Sequence, residues 1–258
     1  MLLLRSTVFQ ILFYLVTLFQ MLLFSPVMVL PKKWGWWILP AWSNTLLLLL
    51  RFIVGLKVEF RGRENLPKRG YIAGMKHQSA WETFGLIPLF PRPTFILKRE
   101  LRWIPIFGWY TAKFDQIPIN RGKRTEALAA MVAAARETIA KKRQILIFPE
   151  GTRRPAGAEP KYKFGIAHLY RELECPVVPI AHNAGVYWPR ASWIVHPGTV
   201  VVEILPRIEP GLPADQFHER LVSDIETASN RLIEEARSAK NPSPVLAEIT
   251  TPVATGKV

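Results

Sequence analysis

The side chains best suited to chemistry in this 258-residue chain fall in three short polar clusters, each placed directly after an apolar run. The first, Lys76-His77-Gln78-Ser79-Ala80-Trp81-Glu82, offers an imidazole and a carboxylate five residues apart. The second, Asn120-Arg121-Gly122-Lys123-Arg124, and the third, Pro149-Glu150-Gly151-Thr152-Arg153-Arg154, offer planar guanidinium groups beside a glycine. Guanidinium forks suit bidentate contacts with phosphate, and a neighbouring glycine lets backbone amides approach a ligand. On one continuous helix His77 and Glu82 would stand about 140° apart. They meet only if His77 precedes a helix and Glu82 lies in its first turn. Two readings of the pair stand side by side. In one, Ser79 to Glu82 is an S-x-x-E capping box and His77 an ordinary loop histidine. In the other, Glu82 fixes one imidazole nitrogen while the second removes a proton from a hydroxyl.

Elements able to position these clusters are legible around them. Short β-type runs occur at 57–60, 71–75, 94–97, 114–119, 145–148, 177–181 and 199–205, and helical periodicity at 125–142, 165–173 and 214–237. Strand–helix alternation predicts an α/β fold, a mixed and largely buried sheet flanked by helices. In open α/β sheets ligands bind beyond the carboxyl ends of strands, so three clusters in that position predict one shared site. The expected organisation is a membrane anchor over 1–56, a catalytic domain over 57–240 and a loose Pro-, Ser-, Thr- and Ala-rich tail over 241–258.

The anchor follows from hydropathy. Residues 6–31 contain no charged side chain, and Lys32-Lys33 then lead into Trp34, Trp36, Trp37 and Trp42. A helix of that length reaches across a hydrocarbon layer about 30 Å thick, and tryptophans beside lysines favour the headgroup level. Pro40, Ser43 and Asn44 interrupt a second uncharged stretch. This leaves two arrangements: one full span with an interfacial helix, or a helical hairpin dipping into one leaflet.

Composition narrows the partner. The chain has 34 Lys and Arg against 20 Asp and Glu, a net charge of +14, with 49% hydrophobic and 21% charged residues. A disordered tail protein is excluded. Residues 51–124 hold 15 basic and 5 acidic groups, so +10 of the +14 lies directly after the anchor. That location points to an anionic membrane rather than to nucleic acid. Lys98, Arg99, Arg102, Trp103 and Trp109 are expected to face lipid headgroups. The one cysteine, Cys175, excludes an intrachain disulfide or a Cys-rich metal site. No metal and no bound cofactor are expected, and His168, His182, His196 and His218 read as structural.

With these residues in view, the sequence resembles the glycerolipid acyltransferase family, most closely its bacterial 1-acyl-sn-glycerol-3-phosphate acyltransferases. The family's histidine motif, with an acid five residues on, is similar to KHQSAWE, its arginine motif to IPINRGKR, and its FPEGTR motif stands unbroken at 148–153. An apolar run ending in proline looks like VVPIAHN around Pro179. Two departures are Glu82 where Asp is usual and Lys76 where Asn is common.

The resemblance implies transfer of a fatty acyl group from acyl-CoA or acyl carrier protein to a lysophospholipid hydroxyl. His77 would be the general base and Glu82 its orienting acid. Arg121 and Arg153 would hold the phosphate, Glu150, Gly151 and Thr152 would approach the glycerol backbone, and Pro179 would be structural or line an acyl pocket. It implies a place at the bacterial inner membrane, facing the cytoplasm. The acceptor expected is 1-acyl-sn-glycerol-3-phosphate, with another lysolipid or glycerol 3-phosphate as alternatives. A non-catalytic basic binding protein would need neither the His–Glu pair nor FPEGTR.

Overall fold

The structure, a computed structural model, describes residues 1–120 and 124–249, and the side chains of all of these except 124–127. Two apolar helices come first, α1 (Leu2–Leu23) and α2 (Ile38–Leu49), the second running on through a wider turn at Leu50–Val54. Then follow β1 (Leu56–Arg61), β2 (Tyr71–Met75), α3 (Glu82–Gly85), β3 (Pro93–Lys98), α4 (Phe107–Lys113), β4 (Ile117–Ile119), α5 (Arg124–Ala140) and β5 (Gln144–Ile147). The chain ends with α6 (Gly165–Leu173), β6 (Val177–His182), α7 (Ala184–Tyr187), β7 (Gly198–Ile204) and α8 (Ala214–Arg237).

The seven strands form one sheet in the order β1-β7-β6-β2-β5-β3-β4. Every neighbouring pair is parallel except β6 with β7, so the sheet is mixed, as its alternating strands and helices predict. β2, β5 and β6 are buried along their whole length, and their continuous apolar runs are what a strand covered on both faces requires. Because β2, β5, β3 and β4 are parallel neighbours, residues following their carboxyl ends gather at one edge. That edge receives the first and third polar clusters and, from the second, Asn120; residues 121–123 lie outside the described residues.

α1 and α2 form an antiparallel hairpin fastened to the sheet domain. Within it, Trp42 Nε1 donates to Thr17 at 3.0 Å and Gln20 Nε2 to Thr45 at 3.1 Å. Ser6 clips α1 to the domain: its Oγ accepts from Val195 N–H at 3.0 Å and donates to Val195 O at 3.3 Å. Phe9, Leu46, Leu50 and Val54 share a core with β2, β6 and β7 residues, so the 1–56 segment and the sheet bury one another. The opposite face of α1, including Leu4, Ile11, Leu15, Phe19 and Leu22, is exposed.

Two local expectations are corrected. The strand expected over 114–119 spans only Ile117–Ile119, because Phe114 closes the unforeseen helix α4 and Asp115 adopts a left-handed conformation at φ +49°. Phe114 instead packs with Val27 and Ile38 at the tip of the helical hairpin. The tail expected to be loose from Asn241 is docked as far as Ile249: Ser243 Oγ donates to Val186 O, Leu246 is buried, and Arg237 donates to the Leu246 carbonyl.

Candidate active site

The first cluster leaves β2 and turns before α3 begins at Glu82, so His77 lies outside the helix and Glu82 is its first residue. This is the one geometry in which the two side chains meet. Glu82 Oε1 lies 2.9 Å from His77 Nδ1 and also accepts the N–H groups of Gln78 at 2.7 Å and Ser79 at 2.8 Å. Its Oε2 accepts Ser79 N–H at 3.0 Å. The capping and catalytic readings therefore hold together, because one carboxylate binds both the turn and the imidazole. Burial opposes its ionisation, but the hydrogen bonds from His77 and Ser79 outweigh it and hold the carboxyl below its ordinary value. His77 Nε2 has no partner among the described residues, and the ring stacks on Phe148 at 4.2 Å.

The third cluster follows β5. Gly151 has φ +69°, a left-handed backbone that favours glycine; a Cβ there would also meet the movable end of the Lys163 side chain, 2.9 Å away at Nζ. Arg154 N–H donates to His77 O at 2.8 Å, tying this loop to the first. Arg153 and Arg154 face different spaces. Arg153 lines a cavity of about 590 Å³ together with His77, Trp42, Phe95, Leu97 and Tyr110. Arg154 lines an adjoining cavity of about 960 Å³ with Asn120, Met131, Lys161 and His168. The two spaces share Ile96, Leu97, Phe148, Gly151 and Thr152 as a common wall. The larger does not reach His77, so the chemistry belongs to the smaller.

The expected site residues are thus brought together unequally. His77, Glu82, Gly151, Thr152 and Arg153 gather at one cavity. Arg121 lies outside the described residues, directly after Asn120 of the larger cavity. Glu150, expected at the glycerol backbone, is 2% exposed and engaged by the protein itself: its Oε1 accepts His77 N–H at 2.8 Å. Pro179 is a buried β6 residue paired with Gly74 and lines neither cavity.

Sequence reasoning missed the supports behind this layer. Lys76 is buried and pairs with Glu226 of α8, to which Tyr162 also donates. His182, read only as structural, lies beneath the turn. Its Nδ1 accepts Ala184 N–H at 3.2 Å, so its Nε2–H donates to Lys76 O at 2.9 Å, and burial lowers its pKa. Lys76, a departure from the usual motif, was the one signal in the sequence that something lay behind it.

Comparison with known proteins accords with this geometry. Residues 57–183 match a family model described as acyltransferase. The chain is 37% identical over 201 residues to a 1-acyl-sn-glycerol-3-phosphate acyltransferase of Pseudomonas aeruginosa, covering 78% of this chain and 77% of that one. It is 30% identical over 164 residues to the Saccharomyces cerevisiae protein of the same name, covering 62% and 54%. Its fold is similar to the crystal structure of the 1-acyl-sn-glycerophosphate acyltransferase of Thermotoga maritima, with a TM-score of 0.73 and 21% identity, over 90% of this chain and 99% of that one. With the histidine–carboxylate pair and the FPEGTR loop at one sheet edge, the chain belongs to the acyltransferase family.

Proposed function

We propose that this protein transfers a fatty acyl group from a thioester to the sn-2 hydroxyl of 1-acyl-sn-glycerol-3-phosphate, forming phosphatidic acid. The observation that carries this is His77, held through Nδ1 by a buried carboxylate in a cavity it shares with Arg153. Neutral His77 donates Nδ1–H to Glu82, and its Nε2 takes the proton of the acceptor hydroxyl. The hydroxyl oxygen attacks the thioester carbonyl, an ester bond forms, the carbon–sulfur bond breaks, and the proton passes to the departing thiolate. General-base assistance of this kind contributes about 10²–10⁴-fold. Glu82, fixed by two backbone amides, stabilises the imidazolium without taking its proton.

Arg153 and Arg121 bind the acceptor phosphate in this reading, and the apolar lining from Trp42, Ile87 and Phe95 takes hydrocarbon. Thr152 and Gly151 border the glycerol. The acyl donor is acyl-CoA or acyl carrier protein. Two helices are long and apolar enough to cross a membrane, Leu2–Leu23 and Lys32–Val54. The docking of Ser6, Phe9 and Gln10 onto the domain favours the hairpin lying in one leaflet over a full span, because one side of α1 is already taken by protein. The leaflet is the cytoplasmic face of the bacterial inner membrane, where the donor arrives from solution.

The test is an acceptor panel with labelled acyl thioester. Lysophosphatidic acid is expected to give the highest turnover, and His77→Ala to abolish it while the protein stays folded and membrane-bound. Preferred turnover of lyso-ornithine lipid, lysophosphatidylethanolamine or glycerol 3-phosphate would replace the acceptor assigned here.

A further inference from the structure

Lys76 immediately precedes the base, at the first position beyond β2. Its side chain is 2% exposed, and an ammonium is held at such depth only when paired. Nζ pairs with Glu226 of α8, lies 3.6 Å from Glu150 Oε2, and sits 5.5 Å over the Tyr162 ring. The Tyr162 hydroxyl donates to the same Glu226 oxygen at 2.6 Å. On its other side Glu150 accepts the His77 backbone N–H at 2.8 Å. A continuous line of contacts therefore runs from α8 through Lys76 and Glu150 to the main chain of His77.

Charge balance decides what that line does. Burial pushes the Glu150 carboxyl above its ordinary value and Glu226 adds to that push, while Lys76 and the His77 amide oppose it without reversing it. The titratable groups facing Glu150 are Lys76 and His77 beyond β2, Glu226 on α8 and Tyr162 ahead of α6. Across from His77 stand Glu82 and His182. A carboxylate accepts a hydrogen bond more strongly than a neutral carboxyl does. The grip on His77 N–H therefore depends on a cation, and Lys76 supplies it.

We propose that Lys76 is a positioning residue for the general base: it keeps Glu150 charged, and Glu150 fixes the main chain from which the imidazole is aimed. The inference rests on His77 as base, the role assigned above. It explains why a lysine is compatible with a motif position where asparagine is usual, since here α8 supplies Glu226 to balance it.

Three variants test this: Lys76→Met, Lys76→Arg, and Lys76→Met combined with Glu226→Gln. Lys76→Met is expected to lower kcat about 10–100-fold and leave KM for lysophosphatidic acid within about twofold, the pattern of a misaimed base. Activity needs charged Glu150, so it is lost as pH falls through the Glu150 pKa. Removing Lys76 raises that pKa, and the acid limb of the kcat–pH profile moves to higher pH. Lys76→Arg regains most of the activity. The double variant removes one charge of each sign and regains the unfolding midpoint, yet Glu150 still lacks its cation. Its kcat therefore stays low and the acid limb, eased only by the loss of the Glu226 push, stays above its original position. A double variant that recovers kcat and pH profile along with stability would make Lys76 merely structural and overturn the proposal. If Lys76→Met alone does not fold, the double variant and Lys76→Arg carry the comparison. His77 carbethoxylation by diethyl pyrocarbonate, followed by mass spectrometry against pH, reads the imidazole without any acceptor. It is expected to shift with the acid limb, and an unchanged profile in the double variant would refute the positioning role even if the acceptor were misassigned.

Discussion

At the scale of single residues, the site is a contest between burial and hydrogen bonding at Glu82. Burial favours the neutral acid, but the imidazole and two amides win, so the folded-state pKa lies below the ordinary value. The stability this contributes is present above the ordinary carboxyl pKa and is lost as pH falls through the depressed folded value. Glu82→Gln is expected to flatten the acid side of the stability–pH curve, measured by urea unfolding in detergent. The same change should lower kcat by about 10⁴-fold, since the imidazole loses both its orienting tautomer and its counter-charge. Retention of near-normal turnover would remove Glu82 from the mechanism. Cys175 gives a contrasting case: burial pushes its thiol up to about 11, so at neutral pH it should resist alkylation in the folded protein, and thiol reagents should leave turnover intact. His77 and Glu82 were legible because five residues of spacing and a turn suffice to join them. The Lys76–Glu226 pair was not, because 150 residues separate partners whose meeting only the finished sheet and α8 determine.

At the scale of elements, the strands that carry the site were the most readable parts of the chain. β2 and β5 are unbroken apolar runs, and a strand covered on both faces has no other way to be written. α4 was not legible. Phe114 and Ile117 look like strand residues, and only the hairpin tip, which packs on Phe114 and receives Tyr110 and Lys113 hydrogen bonds, makes the preceding segment helical. The clip between α1 and the domain makes a measurable claim. Ser6→Val removes both hydrogen bonds to Val195 and leaves its buried amide and carbonyl unpaired, at about 1–3 kcal/mol. Unfolding in detergent should show that loss; a neutral result would mean that α1 is held by its apolar contacts alone. Gly151→Ala meets a left-handed backbone and Lys163, and should raise KM while costing about 1–2 kcal/mol.

On the scale of the whole molecule, exposed apolar groups and basic residues occur together in the segment around α4. Exposed Trp103 and Ile104 precede α4 and exposed Trp109 lies on it, and Tyr110 and Lys113 of the same helix bind the hairpin tip through the Met21 and Met28 carbonyls. Lys98, Arg99 and Arg102 lie beside them, within the segment that carries +10 of the net charge. Replacing Trp103 and Trp109 together with serine should weaken binding to vesicles containing anionic lipid, and binding of the unmodified protein should fall as salt screens the basic groups. Salt-independent binding would leave hydrocarbon insertion as the sole attachment. The wall shared by the two cavities has a consequence of another kind. Phe148, Gly151 and Thr152 border both spaces at once. In the function proposed above, a thioester in one space and a lysolipid in the other would react directly, with no residue storing the acyl group between visits. Initial rates at varied concentrations of both substrates should therefore plot as intersecting lines, with no thiol released until the second substrate arrives.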